Sequence, residues 1–147
     1  MHTPSTRLAT IDDVAAIAPL FDAYRQFYEQ PPDLARASSF LHDRISHRES
    51  VVIVAEDGAG RALGFCQLYP GFCSVLAAPI YTLYDLFVRP EARGTGVGSA
   101  LLKAAESHAA RQGVVRMDLS TARTNLAAQS LYESLGWARD DLFLVYS

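Results

Sequence analysis

The sequence predicts an α/β fold with a mixed sheet, and three features indicate it. Short apolar runs typical of buried strands alternate with longer stretches whose apolar residues recur at helical spacing. Gly, Pro and Asp-Gly signals separate these segments. No repeat, linker or low-complexity stretch interrupts residues 1–147, so we expect one domain of that extent with one core.

Composition and charge narrow the class of protein. Half of the 147 residues are hydrophobic and the net charge is −3, which fits a globular chain and argues against broad nucleic-acid binding. The first residues lack the apolar core of a signal peptide. The most apolar stretch, residues 75–83, contains Pro79 and is too short to span a bilayer. We therefore expect no nucleic-acid or membrane partner.

The cysteines and histidines give no sign of a metal site. Cys66 and Cys73 form neither a disulfide framework nor a metal-binding spacing, and the four histidines show no ligand spacing. Two free thiols are typical of a reducing compartment. We therefore expect a cytoplasmic protein without a metal.

The first segments predict a strand followed by two helices. Residues 6–9 are a short strand candidate, and Thr10 with Asp13 resembles a capping box that opens a helix. Pro19 lies inside that helix, where it favours a kink or an early stop. A second helix should begin after Asp33.

A hairpin and a fourth strand should follow. Residues 51–55 and 62–69 are strand candidates joined by an Asp-Gly turn. Residues 72–79 have no clear pattern and are expected to form a loop. Residues 81–88 then predict the fourth strand.

The last part of the chain alternates between helix and strand patterns. Residues 99–112 and 125–135 predict helices, and Gly113 and Gly136 stand where such helices end. Residues 114–119 predict a strand between them, and residues 137–146 should add one or two closing strands.

The turn between the fourth strand and the next helix predicts a phosphate site. Glycines at 94, 96 and 98 let the backbone bend and approach a ligand. The following helix N-terminus offers unpaired N–H groups and a partial positive charge. Arg93 adds a cation beside them.

Two nucleotide-binding motifs fit this turn poorly. A Walker A loop requires Lys after its last glycine, but Ser99 follows Gly98. A dinucleotide motif requires a glycine at the position of Ser99, and it begins directly after the strand. Here residues 89–93 separate the strand from the first glycine. Asp118 stands where the ribose carboxylate of that motif would lie, but we interpret it as an outward-facing strand residue. A nucleotide-binding domain is kept as a third hypothesis.

Two motifs resemble the GNAT superfamily of N-acetyltransferases. Residues 93–98, Arg-Gly-Thr-Gly-Val-Gly, match its R-x-x-G-x-G/A acetyl-coenzyme A motif, and residues 125–137 are similar to its N-x(6)-Y-x-x-x-G-[FW] signature. The resemblance is strong over residues 81–137. It implies a central mixed, mostly antiparallel sheet of about six or seven strands flanked by about four helices.

The resemblance also implies a reaction and a set of binding residues. The reaction is direct transfer of an acetyl group from acetyl-CoA to a primary amine of a small molecule or peptide, within a ternary complex. The backbone of β-strand residues would pair with the pantetheine arm, as an added strand does. The implied acetyl-CoA contacts are Leu86, Phe87, Val88, Arg93, Gly94, Thr95, Gly96, Val97, Gly98, Ser99, Asn125 and Tyr132.

Asn125 and Tyr132 are seven residues apart, about two helical turns, and therefore share one helix face. By the resemblance, Tyr132 lies near the sulfur. A phenol with a pKa near 10 stays protonated at neutral pH and can protonate a departing thiolate, whose pKa is near 8.5. The alternatives are core packing for Tyr132 and a helix N-cap for Asn125, which can serve both roles.

The general base is less clearly indicated. Several family members use a Glu on the fourth strand, and that position falls near Thr82, which cannot serve. Asp85 is the nearest acid and is our candidate. Ordered water and an ordinary polar role for Asp85 are the alternatives.

The acceptor and the assembly are left open by the sequence. Residues 21–29 are aromatic with acidic neighbours, which suits a cation or an amphipathic helix with a buried aromatic face. They loosely resemble histone and polyamine acetyltransferases. The apolar residues 140–147 suggest an edge that pairs with a second copy, as a homodimer. A non-catalytic acyl-CoA-binding or sensing module on the same fold is the alternative function.

Overall fold

The computed structural model describes residues 4–147, in which five strands form one sheet in the order β1-β2-β3-β4-β5. Neighbouring strands are antiparallel except β4 and β5, which are parallel, so the sheet is mixed as predicted. The strands are β1 (Ser5–Leu8), β2 (Val51–Glu56), β3 (Ala62–Cys73), β4 (Ala78–Val88) and β5 (Met117–Leu119). Residues 4–147 also contain four α-helices, which are α1 (Val14–Phe27), α2 (Leu34–Ser46), α3 (Val97–Arg111) and α4 (Leu126–Ser134).

Helices cover both faces of the sheet. Alternation along β2 sends Val52 and Val54 to the face covered by α1 and α2, and Ile53 to the face covered by α3. Each face has its own cluster of buried side chains, with Phe65 in the first and Leu101 in the second. β4 therefore lies inside the fold, with helices on both sides. Among the helices of residues 4–147, none combines the length and apolarity needed to cross a bilayer.

The start of α1 follows the predicted capping chemistry. The backbone N–H of Thr10 donates to the Asp13 carboxylate at 2.7 Å, and one 3₁₀ turn leads into the helix. The early stop predicted at Pro19 does not occur, because α1 continues to Phe27. Ile17 and Leu20, on either side of Pro19, are both buried and hold the helix against the core.

The β3–β4 hairpin is longer than predicted. Pro70 does not end β3, which continues to Cys73, and the loop expected over residues 72–79 shortens to a turn. β2 pairs with β3 only as far as Leu68, so β3 is an edge strand beyond that point. A proline is tolerated there because no neighbouring strand requires its missing N–H.

The closing strands predicted over residues 137–146 are wrong for the described chain. Residues 138–147 form neither helix nor strand, and the sheet has five strands rather than six or seven over residues 4–147. The side chains of Leu142 to Tyr146 are all exposed, with Val145 at 93%. A strand needs a partner edge, and the outer edge of β5 has only three residues to offer.

Candidate active site

A cleft opens where β4 and β5 diverge. The two strands pair only from Tyr81–Met117 to Leu83–Leu119, after which β5 ends and β4 continues to Val88. The gap is a cleft of about 410 Å³. Its walls come from the end of β4, the start of α3, α4 and the last turns of α1, including Leu86, Val88, Gly96, Asn125, Tyr132 and Tyr24.

The free edge of β4 supplies backbone groups to this cleft. The N–H of Arg89 donates to the carbonyl of Leu63 on β3 at 2.8 Å. Antiparallel pairing alternates, so the backbone of Phe87 also turns toward β3, whereas the groups of Leu86 and Val88 turn toward the cleft. Leu86 and Val88 therefore present polar backbone groups to the cleft, and Phe87 also lines it while its side chain is buried on the α1 side of the sheet.

The N-terminus of α3 lies at one end of the cleft. Gly96, with φ of 90°, caps the helix, and the first helical bond runs from the Ala100 N–H to the Gly96 carbonyl at 3.0 Å. The N–H groups of Val97, Gly98 and Ser99 therefore precede the helical ladder. At Gly94 and Gly96, no heavy atom lies within 4 Å of where a Cβ would stand, so the turn faces open space.

Arg93 is held beside this helix end, whereas Thr95 turns away. The Nε of Arg93 donates to the Val88 carbonyl at 3.0 Å, and its guanidinium carbon lies 5.3 Å from the centre of the Phe87 ring. These contacts leave both Nη groups out of the bond to Val88. The Thr95 hydroxyl instead donates to the Ala92 carbonyl at 2.5 Å, and Thr95 does not line the cleft.

Asn125 and Tyr132 line the cleft from α4, on one face as predicted. The Oδ1 of Asn125 accepts the Ala128 N–H at 3.2 Å, so this side chain caps the helix and its Nδ2 is not used in that bond. The half-buried Tyr132 ring lies 6.2 Å from the Trp137 ring. Burial raises the pKa of Tyr132, so the hydroxyl is protonated at neutral pH.

Asp85 lies behind the cleft wall rather than in it. Its side chain is on the α1 side of the sheet, 2% exposed, and accepts a hydrogen bond from Gln67 Nε2 at 2.5 Å. Burial raises the pKa of Asp85 to about 6, although the hydrogen bond from Gln67 and the nearby Tyr24 hydroxyl favour the ionised form. The Tyr24 hydroxyl itself donates to the Tyr84 carbonyl at 3.0 Å, at the edge of the cleft.

A β-bulge creates this arrangement. Gln67 pairs with Asp85 and Leu68 pairs with Leu83, so Tyr84 is the extra residue on β4. Tyr84 is 63% exposed at the cleft, and Tyr24 and Gln67 are functional candidates that the sequence reasoning missed. A lone Gln within an apolar strand was the signal that could have indicated a buried polar partner.

The aromatic segment near the end of α1 divides between core and cleft. Phe21 is buried, whereas Phe27 and Tyr28 are exposed by 58% and 43% at the cleft. Asp22, an acid predicted to attract a cation, is buried, and its carboxylate accepts the backbone N–H of Asp33 at 2.9 Å. The segment therefore contributes Phe21 to the core and Phe27 and Tyr28 to the cleft, and a cation-binding role stays a prediction.

The remaining polar candidates have surface or core roles. The Asp118 carboxylate accepts bonds of 2.8 and 3.0 Å from Arg116, in keeping with an outward-facing strand residue. Over residues 4–147, no group of three or more His, Cys, Asp or Glu side chains is arranged to hold a metal. The described cleft thus combines a helix N-terminus, a free strand edge and a tyrosine.

Comparison with known proteins identifies the family to which the chain belongs. Residues 15–137 match the model of the acetyltransferase (GNAT) family. The chain is 47% identical over 140 residues to the uncharacterized N-acetyltransferase YhfO of Bacillus subtilis (strain 168), covering 95% of this chain and 93% of that protein. It is 34% identical over 104 residues to aminoglycoside N(6')-acetyltransferase type 1 of Klebsiella aerogenes, covering 68% of this chain and 66% of that protein.

The fold gives the same answer. A crystal structure of a probable acetyltransferase superimposes with a TM-score of 0.92 and 38% identity, covering 97% of this chain and 95% of that chain. The chain belongs to the GNAT acetyltransferase family. It is an N-acetyltransferase, and the family resemblance found in the two motifs is confirmed.

Proposed function

We propose that this protein transfers the acetyl group of acetyl-CoA to a primary amine of a small molecule or peptide, by direct attack of the amine within a ternary complex. The observation that carries the proposal is one cleft lined both by the N-terminus of α3, where the first N–H groups precede the helical ladder, and by Tyr132 on α4. The thioester supplies the activated acetyl group. The chain's own residues bind it, orient it and move the protons.

The donor end of the cleft fits a pyrophosphate. The N–H groups of Val97, Gly98 and Ser99, with the adjacent Arg93, would hold its negative charge. The open space over Gly94 supports this, because a phosphate can approach the backbone there.

The free edge of β4 fits an amide-bearing arm. Backbone groups of Leu86 and Val88 would pair with pantetheine, and Asn125 Nδ2 would add a contact from α4. A backbone N–H of this strand would also stabilise the oxyanion formed at the acetyl carbonyl. These contacts would bring the reacting carbon toward Tyr132.

Tyr132 is proposed as the general acid. As the carbon–sulfur bond breaks, its hydroxyl gives a proton to the sulfur and leaves coenzyme A as a thiol. The burial that raises the pKa of Tyr132 would also raise that of a thiolate leaving within the same cleft, so the two groups stay matched. The phenolate would be reprotonated from solvent.

Asp85 is proposed as the base that finally holds the proton released by the amine nitrogen. With its pKa near 6, Asp85 is ionised at neutral pH and ready to accept a proton. The exposed Phe27 and Tyr28 are proposed to contact the acceptor. The aminoglycoside acetyltransferase among the relatives supports a small-molecule amine as acceptor.

We further propose a single cytoplasmic domain that forms a homodimer. Free Cys66 and Cys73 support a reducing compartment. Two features support pairing between copies: the exposed apolar segment of residues 142–146 and the short edge strand β5. The segment of one copy would cover the unpaired edge of β5 in the other and lose its own exposure to water.

The proposal is tested by thiol release from acetyl-CoA with spermidine, kanamycin A, 2-phenylethylamine and a lysine-containing peptide as acceptors. Tyr132→Phe should lower kcat by about 10²-fold with the affinity for coenzyme A unchanged, because only proton donation is removed. Tyr81→Phe is the matched control, since Tyr81 is buried on β4 and does not line the cleft.

Two outcomes would contradict the proposal. Full activity of Tyr132→Phe would remove Tyr132 as the acid. Tight coenzyme A binding without turnover of any acceptor would instead favour the non-catalytic acyl-CoA-binding module.

A further inference from the structure

Asp85 cannot meet an acceptor amine directly in this fold. Its side chain is 2% exposed, and it is absent from the residues that line the cleft. A base that is to serve the cleft therefore needs an intermediate group that touches both. The bulge at Tyr84 places such a group at this point.

Tyr24 on α1 is that group. It lines the cleft, and its hydroxyl donates to the Tyr84 carbonyl at 3.0 Å. Tyr84 directly precedes Asp85 on β4, so this bond holds the hydroxyl beside the Asp85 carboxyl, and its one proton can turn from the Tyr84 carbonyl to the carboxylate. Stacking with Phe21 and an edge contact with Phe65 fix the ring, so the hydroxyl has a defined position.

Gln67 is suited to hold Asp85 in both of its protonation states. Its Nε2 donates to the ionised carboxylate at 2.5 Å, and its Oε1 is buried without a hydrogen-bond partner among the described residues. A carboxylic acid can donate to an amide oxygen, so rotation of the amide would satisfy the protonated form as well. The unpartnered oxygen is thus an acceptor held ready for the proton that Asp85 gains.

We propose that Tyr24 relays the amine proton from the cleft to Asp85, with Gln67 as the residue that positions Asp85. The relay rests on the proposed acetyl transfer. As the nitrogen–carbon bond forms, the nitrogen gives a proton to the Tyr24 oxygen, and the Tyr24 hydroxyl proton moves to a carboxylate oxygen of Asp85. Tyr24 ends neutral, Asp85 ends protonated, and the proton later leaves to solvent.

Asp85 ionises near neutral pH, whereas Tyr24, Cys66 and Tyr69 around it stay neutral. Burial and the Asp85 charge raise the pKa of Tyr24 on α1, and of Cys66 and Tyr69 on β3. These groups therefore stay neutral. The other groups that act on this cluster are Tyr28 just after α1, Tyr84 on β4, and Arg44 of α2, which acts on Tyr69.

The first test measures how Tyr24 and Gln67 affect the titration of Asp85, and it does not depend on turnover. A ¹³C NMR titration of the Asp85 carboxyl should show its midpoint at higher pH in Tyr24→Phe and in Gln67→Met, because one loses the neighbouring hydroxyl and the other the amide bond, and both groups favour the ionised form. Tyr81→Phe should leave the midpoint unchanged, since Tyr81 packs on the other face of the sheet against His108. An unchanged midpoint in Tyr24→Phe would overturn the relay.

The second test measures proton transfer, with the fastest of the four acceptors named above. Tyr24→Phe should lower kcat by about 10²-fold with KM for acetyl-CoA unchanged, and remove the break near the Asp85 pKa from a profile measured from about pH 5 to about pH 9. Gln67→Met should keep the break but move it to higher pH. A retained break and rate in Tyr24→Phe would overturn the relay, whereas an inactive wild type would refute the proposed function itself.

Discussion

Replacing Asp85 with Asn should make the protein more stable and less active. The folded-state pKa of Asp85 is about 6, against an ordinary value of 3.8, and burial is the main cause. The folded protein therefore holds this proton more tightly than the unfolded chain does. The stabilising effect is complete below about pH 4 and is lost as the pH rises through about 6.

The magnitude follows from the two pKa values. They differ by about two pH units, and each unit corresponds to about 1.36 kcal/mol, so ionised Asp85 destabilises the fold by about 3 kcal/mol at neutral pH. Asn carries no charge and has the same shape. Its oxygen can accept from Gln67 Nε2, and its amide can donate to the unpartnered Gln67 Oε1.

Urea unfolding of both proteins from about pH 4 to about pH 8 tests this expectation. The stability difference should grow up to about pH 7 in favour of Asp85→Asn, reach as much as about 3 kcal/mol and then level off. Asp13, whose pKa Arg7 lowers to about 2, titrates below this range and is common to both proteins.

Asp118→Asn is the control for this experiment. Asp118→Asn makes the same chemical change at an exposed ion pair with Arg116 and should alter stability by less than about 1 kcal/mol. If Asp85→Asn is less stable than the wild type at neutral pH, or the difference does not depend on pH, then burial of the charge is not what sets the Asp85 pKa.

Two further predictions concern the donor end and the assembly. Gly96→Ala should weaken coenzyme A binding by about tenfold in calorimetry, about 1.4 kcal/mol, whereas Gly113→Ala should not, although both glycines have positive φ and room for a Cβ. Equal affinity in the two variants would remove the α3 cradle from the donor site. In sedimentation velocity, the wild type should be a dimer and Leu144→Pro a monomer, because proline removes the N–H that strand pairing needs. A monomeric wild type would refute the assembly.

The sequence predicted best those features that neighbouring residues determine. Gly96 must adopt a positive φ for the turn to enter α3, and Asn125 caps α4 through a residue three positions away, so both follow from local chemistry. The pairing of Gln67 with Asp85 follows instead from strand register and from one bulge at Tyr84. Periodicity does not report a bulge, and the polar pair was missed for that reason.

The errors at the end of the chain have a related cause. Residues 142–146 have the apolar character of a strand, yet a strand forms only against a partner edge, and these residues pair with none of the five strands of the described chain. Pro70 shows the reverse case, since β3 accommodates it where no strand adjoins. In both cases the structure depends on whether a strand lies alongside, which the local sequence does not report.

The proposed donor contacts and the proposed acceptor contacts come from different elements of the fold. The proposed donor contacts come from the end of β4, the α3 turn and α4, which carry both motifs. The proposed acceptor contacts, Phe27 and Tyr28, lie at the C-terminal end of α1, within four residues of Tyr24 and its proposed path to Asp85. Because one helix carries acceptor recognition and the proposed proton path, a shift of α1 to admit a different amine also moves the hydroxyl that must receive its proton. On the proposed relay, acceptor range and proton removal are thus linked through α1, whereas the proposed donor contacts come from other elements that line the same cleft.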